Sequence, residues 1–560
     1  MLLKKFIPAL EWIPNYKRSD LSGDLSAGLI VAIMLIPQGM AYAMLAGLPP
    51  VIGLYASTVP LLIYALFGTS RQLAVGPVAM VSLLVLTGVS TLAEPGTDEY
   101  ISLVLLLMLM IGVIQLLMGV MRLGFLVNFM SHGVISGFTS AAAIIIGLSQ
   151  LKHLIGVSLE ANKDVFLILW ESVNRISEIN PVTLAIGVGS IIMLVLLKRF
   201  IKKIPAPLIV VVLSVSLVYF LQLQNAGVKI IGEVPQGLPA FSFPVINAES
   251  LIALLPIALT ISFIGFMESI AMAKAIAAKE KYKVVPNKEL TGLGLANIGG
   301  AFFSGYPVTG GFSRSAVNYQ SGARTPLATI ITAVLIILTL LFFTGLFFYL
   351  PNAVLAAIIM VAVYSLIDVK EAKHLFKIGK VDGSIWLITF LATLIFGIVE
   401  GIIIGVVFSL IVFIWKSAYP HVAELGYLQS ERVYRNIKRY PEAKVDSNKI
   451  IFRVDSSLYF ANMAFFEEKL SERVVEKPNT KWIILDFTGV NSIDAVAIHS
   501  LEELMESYGE NSEIQFLYAG VKGPVRDLLI KADWNEKYGD TLFYMSIDQA
   551  MQAAKGEEGL

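Results

Sequence analysis

The sequence predicts an α-helical membrane protein of fourteen spans, built as seven plus seven inverted repeats, followed by a cytoplasmic α/β domain. Three observations carry this. Long apolar stretches succeed one another from about residue 25 to 419, in a chain 56% hydrophobic and 15% charged; soluble domains run nearer about 25% charged. Lys and Arg fall on alternate loops between those stretches. Beyond residue 442 charge density rises, and short apolar strands alternate with amphipathic helices. The expected division is a cytoplasmic N-terminal segment at 1–20, a membrane domain at 21–420, a charged linker at 421–441 and the α/β domain at 442–555.

A hydrocarbon core about 30 Å thick takes about 20 apolar residues per helix. On that measure spans or half-spans lie near 24–41, 51–67, 77–91, 101–121, 127–152, 181–200 and 205–223 in the first half. The second half has 250–273, 288–304, 311–320, 326–348, 351–366, 382–397 and 399–417. The N-terminal stretch carries Lys4 and Lys5, and Pro8 and Pro14 interrupt its apolar run. It reads as a lead-in with an interfacial anchor around Trp12 rather than a signal peptide.

The third and tenth segments are too short to cross alone. Each follows an extended piece, Gln72-Leu73-Ala74-Val75 and Tyr306-Pro307-Val308-Thr309, and begins near Gly76-Pro77 or Gly310-Gly311. Strand and half-helix together would span. The two breaks occupy matching places in the two halves, and seven spans per half is odd, so the halves enter the membrane from opposite sides. Interrupted segments at matching positions of inverted repeats mark a binding site.

Basic residues support the count. Lys4, Lys5, Lys17, Arg18, Arg71, Arg122, Lys198, Arg199, Lys202 and Lys203 fall on one side in the first half. Lys274, Lys279, Lys281, Lys283, Lys288, Arg324, Lys370, Lys373, Lys377, Lys380 and Lys416 fall there in the second. The other side has only Lys152, Lys163, Arg175 and Lys229, with Glu94, Asp98 and Glu99. The Lys/Arg excess marks the cytoplasmic side, so both termini are expected there, in a cell (inner) membrane.

Past the membrane domain, residues 450–454, 482–487 and 514–520 read as strands. Helices are expected within 491–508 and from Pro524.

Composition excludes several functions. Net charge is zero, which gives no case for nucleic acid, and there is no cysteine for a disulfide, thiolate or Cys-held metal. His132, His153, His374, His421 and His499 show no metal-ligand spacing. No nucleophile–base arrangement stands out, so the chain does not read as an enzyme, and no cofactor is implied.

Four segments carry chemistry. In Pro37-Gln38-Gly39-Met40-Ala41-Tyr42, Gln38 and Tyr42 share a helix face; polar side chains in a span face protein or a water cavity. Val75-Gly76-Pro77-Val78-Ala79 begins a half-helix, whose unpaired N–H groups and positive dipole end suit an anion. Thr309-Gly310-Gly311-Phe312-Ser313-Arg314-Ser315 begins the other, with Arg314 as a permanent charge; Arg314 at the cytoplasmic interface is the bland alternative. Glu268 sits inside a span, where an acid costs about 2.5–3.5 kcal/mol. Protonation removes that cost, so Glu268 is a candidate proton relay; a structural ion pair with Arg314 is the competing reading.

Residues 20–90 resemble the sulfate permease (SulP) family. The residues that carry this are Asp24, Pro37 to Gly47, Pro49-Pro50, Gly53-Leu54-Tyr55, Gly68-Thr69-Ser70-Arg71 and Gly76-Pro77. Asn287-Lys288-Glu289-Leu290 and Gly311 to Asn318 resemble it as well. The resemblance implies a uracil-permease-like fold of core and gate domains, a cytoplasmic STAS domain and a homodimer. It implies an anion between the third and tenth helix starts, held by Val78, Ala79, Phe312, Ser313 and Arg314 with Gln38 and Tyr42. Glu268 stands where proton-coupled members carry their acid. Asp486-Phe487-Thr488-Gly489-Val490 and Ser492-Ile493-Asp494 resemble STAS domains, with Ala495 and Val496 where phosphorylated relatives carry Ser or Thr. That implies docking or assembly rather than phosphorylation. The expected function is secondary active transport of sulfate or a similar small anion by proton symport through alternating access. A bicarbonate or dicarboxylate carrier, sodium- or proton-coupled, or an anion exchanger is the alternative; a voltage-driven channel lacks the repeated Arg ladder it would need.

Overall fold

A computed structural model describes residues 7–125, 131–157, 165–200, 205–512, 514–539 and 542–556. Lys4, Lys5, Lys163, Lys202 and Lys203 of the charge count, and the start of the fifth predicted span, lie outside the described residues. The chain divides into two compact units, Met1–Ser409 and Leu410–Leu560.

The first unit is helical. Its first half holds α1 (Ala9–Trp12), α2 (Leu21–Leu45), α3 (Pro50–Tyr55), α4 (Val59–Phe67), β1 (Val75–Gly76), α5 (Ala79–Val89), α6 (Asp98–Val120) and α7 (His132–Ser149). Then come α8 (Leu151–Ile155), α9 (Val165–Asn174), α10 (Pro181–Phe200) and α11 (Ala206–Leu221). The second half holds α12 (Ala248–Glu280), α13 (Pro286–Ala301), β2 (Thr309–Gly310), α14 (Phe312–Gln320) and α15 (Leu327–Phe342). It closes with α16 (Asn352–Tyr364), α17 (Val369–Ile378), α18 (Lys380–Phe396) and α19 (Ile398–Ala418), which runs into the second unit. Each of the fourteen predicted segments carries helix. Among the described residues eight helical runs are long and apolar enough to cross a membrane, and α5, α11 and α15 are shorter apolar helices.

Local sequence explains these elements. The 25 residues of α2, at about 1.5 Å each, exceed the hydrocarbon thickness, and the helix continues through Pro37. The second predicted span is broken into α3 and α4 at Thr58, which has non-helical dihedrals (φ −117°, ψ −88°). The Thr97 hydroxyl accepts the Tyr100 N–H and so caps α6. Gly294 and Gly300 give α13 a narrow buried surface on which α6 packs closely, against Gly112, Leu116 and Met108, while Gly292 lets the end of α4 approach at Gly68.

Two buried carboxylates clamp the loops beside the half-helices. Asp24 Oδ1 accepts the Arg324 and Thr325 N–H groups at 2.7 and 3.0 Å, and Oδ2 accepts the Thr325 hydroxyl at 2.6 Å. Glu289 Oε1 accepts the Thr69 and Ser70 N–H groups at 2.6 and 3.1 Å, and Oε2 accepts the Tyr64 hydroxyl at 2.7 Å. Both acids are fully buried and stay affordable through these charge-assisted bonds.

The second unit is an α/β domain around a six-stranded sheet, in the order β4-β3-β5-β6-β7-β8. The strands are β3 (Val422–Leu428), β4 (Val433–Asn436), β5 (Lys449–Val454), β6 (Trp482–Asp486), β7 (Gln515–Ala519) and β8 (Phe543–Tyr544). The helices are α20 (Met463–Glu476), α21 (Ala495–Ser512), α22 (Gly523–Lys531), α23 (Trp534–Tyr538) and α24 (Ile547–Gly556). Strands β5 to β8 are parallel; β3 pairs antiparallel with both β4 and β5. One core gathers Phe452, Phe466, Phe487, Tyr518 and Trp534; a second, around Ile451, Ile484 and Leu517, is closed by α24.

The structure corrects the linker. Residues 421–441 hold β3 and β4, so the sheet begins at Val422 rather than beyond 442. The segment reads as a charged linker because β4 is an edge strand with exposed Arg435 and half-buried Val433 and Tyr434, and edge strands carry charge that blocks further pairing. The other predicted strands and helices appear within a few residues of their expected bounds. Helix α21 starts at Ala495 because the Asp494 carboxylate accepts the Ala497 N–H at 2.8 Å.

Candidate functional site

The two extended pieces meet. β1 and β2 pair antiparallel, Val75 opposite Gly310 and Gly76 opposite Thr309, and the Gly311 N–H adds a bond to the Ala74 carbonyl at 3.2 Å. Antiparallel pairing is what two inverted halves produce at their shared axis. A helix starts just past each strand: α5 behind its N-cap Val78, α14 behind its N-cap Gly311. Neither start has a side-chain cap. The two N-caps touch, since a methyl group on Gly311 would lie 3.2 Å from Val78 Cγ1. Two positive helix ends, with N–H groups unclaimed by any cap, therefore meet within the first unit.

Neighbouring side chains hold the crossing in place. Asn297 on α13 behaves as a third strand: its Oδ1 accepts the Val308 N–H at 2.9 Å, and its Nδ2 donates to the Val308 carbonyl at 3.1 Å. Gln115 on α6 orients that amide, accepting from it at 3.2 Å. The Ser269 hydroxyl accepts the Gly310 N–H at 2.8 Å, and the Thr309 hydroxyl donates to the Gly265 carbonyl. From α14, Ser315 accepts the Ala74 N–H at 2.9 Å, and Asn318 donates to the Gln72 carbonyl at 2.9 Å. Ser82 and Tyr306 share a hydroxyl–hydroxyl bond of 3.0 Å behind α5.

Arg314 is buried among the half-helix ends. Its Nε donates to the Ala74 carbonyl at 3.2 Å and its Nη1 to the Pro77 carbonyl at 2.9 Å; Nη2 is buried without a partner. Gly76 and Gly311 make room for it, as a methyl on either would stand 3.2 Å from Nη2. The guanidinium thus stitches α14 to the strand leading into α5 and leaves a donor over.

Glu268, on α12 next to Ser269, has a buried Oε2 with no hydrogen-bond partner. No ion pair with Arg314 forms among the described residues, so the structural salt bridge is not made. Tyr42, Glu268, Tyr306 and Arg314 are near enough to act on one another electrostatically.

Beside the crossing lies a cavity of about 690 Å³ whose walls include Met34, Gln38, Lys198, Ser313 and Gln320. Gln38 makes no side-chain hydrogen bond among the described residues, and interhelical glue does not account for it. Of the predicted residues, Gln38 and Ser313 share this cavity. Val78, Ala79, Phe312 and Arg314 lie at the helix starts, and Tyr42 beside Arg314. Val78, Ala79 and Tyr42 are 6 to 7% exposed, and Phe312 is 42% exposed. Sequence reasoning missed Asn297, Gln115, Ser269 and Ser82, and gave the Tyr306 and Thr309 side chains no role of their own. Their signal is polarity within apolar helices, where an amide or hydroxyl needs a partner.

Comparison with known proteins shows the family of the chain. The model of the sulfate permease family matches residues 21–389, and that of the STAS domain matches 440–550. The sulfate transporter 4.1, chloroplastic, of Arabidopsis thaliana is 41% identical over 564 residues, covering 97% of this chain and 82% of the relative. The high affinity sulfate transporter 2 of Stylosanthes hamata is 35% identical over 573 residues, covering 98% and 86%. Among solved structures, the murine solute carrier 26 family member A9 anion transporter in the inward-facing state superposes with a TM-score of 0.92 at 26% identity, covering 99% of this chain and 95% of that one. The chain belongs to the sulfate permease family: it is a membrane anion transporter rather than an enzyme, and it carries a C-terminal STAS domain.

Proposed function

We propose that the protein carries sulfate or a similar small oxyanion by proton symport through alternating access. The observation that supports this best is the contact of two uncapped helix N-termini beside a cavity that reaches Gln38 and Ser313. The bound anion accepts N–H bonds from Ala79 and Phe312 and their successors. Val78 and Ala79 shape one side of its seat, and Phe312, Ser313 and Tyr42 the other. Gln38 donates from α2. Arg314 supplies the compensating charge from behind, with Nη2 as its spare donor. The two plant relatives, both sulfate transporters by name, favour sulfate.

Glu268 carries the coupling proton in this reading. Protonated, it leaves Arg314 to offset the bound anion, so the loaded core moves; deprotonated with the anion bound, it adds a buried negative charge that holds the carrier, and deprotonated and empty, it offsets Arg314 instead, so the carrier returns. The protein works as a homodimer in the cell (inner) membrane with both termini cytoplasmic, and its STAS domain serves docking or assembly.

Uptake of labelled sulfate, bicarbonate and succinate into proteoliposomes, under separately imposed pH and sodium gradients, tests the reading. Sulfate accumulation driven by an inward proton gradient is expected. Accumulation that follows sodium, or bicarbonate or succinate in place of sulfate, would replace it.

A further inference from the structure

Helix α19 has 21 residues and is apolar enough to cross a membrane. At about 1.5 Å each they match a hydrocarbon core about 30 Å thick, so Ala418 lies at the edge of that core. Trp415 and Tyr419 mark the level: both are exposed, and such rings gather where hydrocarbon meets headgroups. The rest of the second unit packs directly on this helix end. The Tyr459 hydroxyl donates to the Ser417 carbonyl at 3.0 Å, and the Tyr419 ring meets Phe465 of α20 edge-on, with centroids 5.2 Å apart. The loop before α20 is thus held at the bilayer surface, and its next residue, Phe460, is 71% exposed.

The same level is basic. His421 is three residues past Ala418, so it lies within about 10 Å of the hydrocarbon edge even at full extension. The hairpin of β3 and β4 then brings the chain back to it. Asn436 pairs opposite Leu425, the Ile437 N–H donates to the Glu424 carbonyl at 3.2 Å, and Asn436 Oδ1 accepts the Lys438 N–H at 2.8 Å. Lys438 therefore borders a cavity of about 310 Å³ together with Pro420 and His421. Arg439 borders a neighbouring cavity of about 150 Å³ with His421 and Arg453, and His421 and Asn436 belong to both.

The acids in these walls are already paired. Glu424 holds Lys477 at 2.6 Å, and Asp455 is held by Arg453 and His421. Lys469 and Arg473, also in the walls, pair with Glu472 and Glu476. Beside Phe460, the Asp494 carboxylate accepts the Phe460 and Ala497 N–H groups. Lys438 and Arg439 are exposed and form no side-chain hydrogen bond or ion pair among the described residues. Two free cations flanked by exposed aromatic rings at the end of a span suit a negatively charged bilayer surface. The potential of anionic lipids acts within a Debye length, about 8 Å at physiological salt, and an apolar ring is stabilised by entering the headgroup boundary.

We infer that this face of the second unit lies against the bilayer, where Lys438, Arg439 and His421 bind the phosphate of an anionic phospholipid headgroup while Phe460 enters the boundary beside Tyr419. The lipid would tie the STAS domain to the surface at which the last span ends, whichever anion the membrane domain carries.

The full chain in nanodiscs tests this. It contains no cysteine, so Phe460→Cys gives a single site for a nitroxide label. Collisions of the label with oxygen, which partitions into lipid, and with a water-soluble nickel chelate report its depth. The ratio of oxygen to nickel collisions should rise when phosphatidylcholine discs are replaced by discs containing phosphatidylglycerol. That rise should be lost with Lys438→Gln/Arg439→Gln and kept with Lys438→Arg/Arg439→Lys. A ratio equal in the two lipids would overturn the inference, as would a rise undiminished in the Gln double variant. A label shielded from both reagents would give the face to a second copy or another protein instead. Inorganic phosphate that reproduced the rise in phosphatidylcholine discs would give the site to the free ion. If the Gln double variant does not fold, the comparison of the two lipids decides alone.

Discussion

Glu268 and Arg314 lie in one electrostatic group without bonding to each other, and that arrangement sets the sharpest predictions. Glu268→Gln mimics the protonated acid and cannot release a proton. Sulfate accumulation driven by a pH gradient should disappear, while exchange of labelled for unlabelled sulfate persists; proteoliposomes measure both, and unchanged proton-driven accumulation would remove Glu268 from the coupling step. Arg314→Lys keeps the charge but not the planar fork that reaches Ala74 and Pro77 together. Losing one charge-assisted bond should cost about 1.5–3 kcal/mol, visible as a lower melting temperature in detergent together with weaker uptake. Gln38, Ser313 and Arg314 stood out in the sequence because polar groups in apolar spans are conspicuous. What the sequence did not show is that Arg314 also ties two backbone segments together, since its partners, Ala74 and Pro77, offer only carbonyls, which every residue has.

At the level of elements, two paired strands of two residues each hold the crossing, too little to persist without side-chain support. Asn297→Leu leaves the buried Val308 N–H unpaired and should destabilise the protein by about 1–3 kcal/mol, with uptake falling in step; a variant as stable and active as wild type would show that the amide clip is dispensable. In the second unit, His421 at the entrance to β3 and Arg453 on β5 both bond Asp455, His421 Nδ1 at 2.7 Å and Arg453 Nη2 at 3.0 Å. Burial works to raise the Asp455 carboxyl, but the hydrogen bonds from Arg453 and His421 outweigh it and leave it below the usual carboxylate value. A carboxyl lowered on folding stabilises fully above its unfolded value, near about 3.9, and loses that contribution as pH falls through the folded value. With side chains 32% and 53% exposed for Asp455 and His421, the effect is modest. Asp455→Asn should cost about 0.5–1 kcal/mol at neutral pH and flatten the acid limb of a urea-melt series; an unchanged limb would assign the acid sensitivity elsewhere. The half-helices were legible because Gly-Pro and Gly-Gly interrupt apolar runs. The strands β3 and β4 were not, because an edge strand shares the charge and short apolar runs of a linker.

Over the whole molecule, the second unit has its own cores, and Trp534 is fully buried with its indole N–H bonded to Glu502 at 2.8 Å. Residues 419–560 should therefore fold alone. Expressed in isolation they should unfold cooperatively in urea, with tryptophan emission shifting from buried to exposed; an exposed-type spectrum without a transition would show that the domain needs the membrane unit. The sequence by itself determined the two-part organisation, the helix placements and the two interrupted segments, because hydropathy, turn residues and charge are properties of short stretches. Tertiary structure decided that the two breaks pair as an antiparallel ladder with their N-caps in contact. It decided that Asp24 and Glu289 clamp loops some 300 and 220 residues away, and that Tyr459 docks on the end of α19 at Ser417. The physical reason is common to all three: these are meetings between residues far apart in the chain, and periodicity along one segment carries no record of which distant segment it touches.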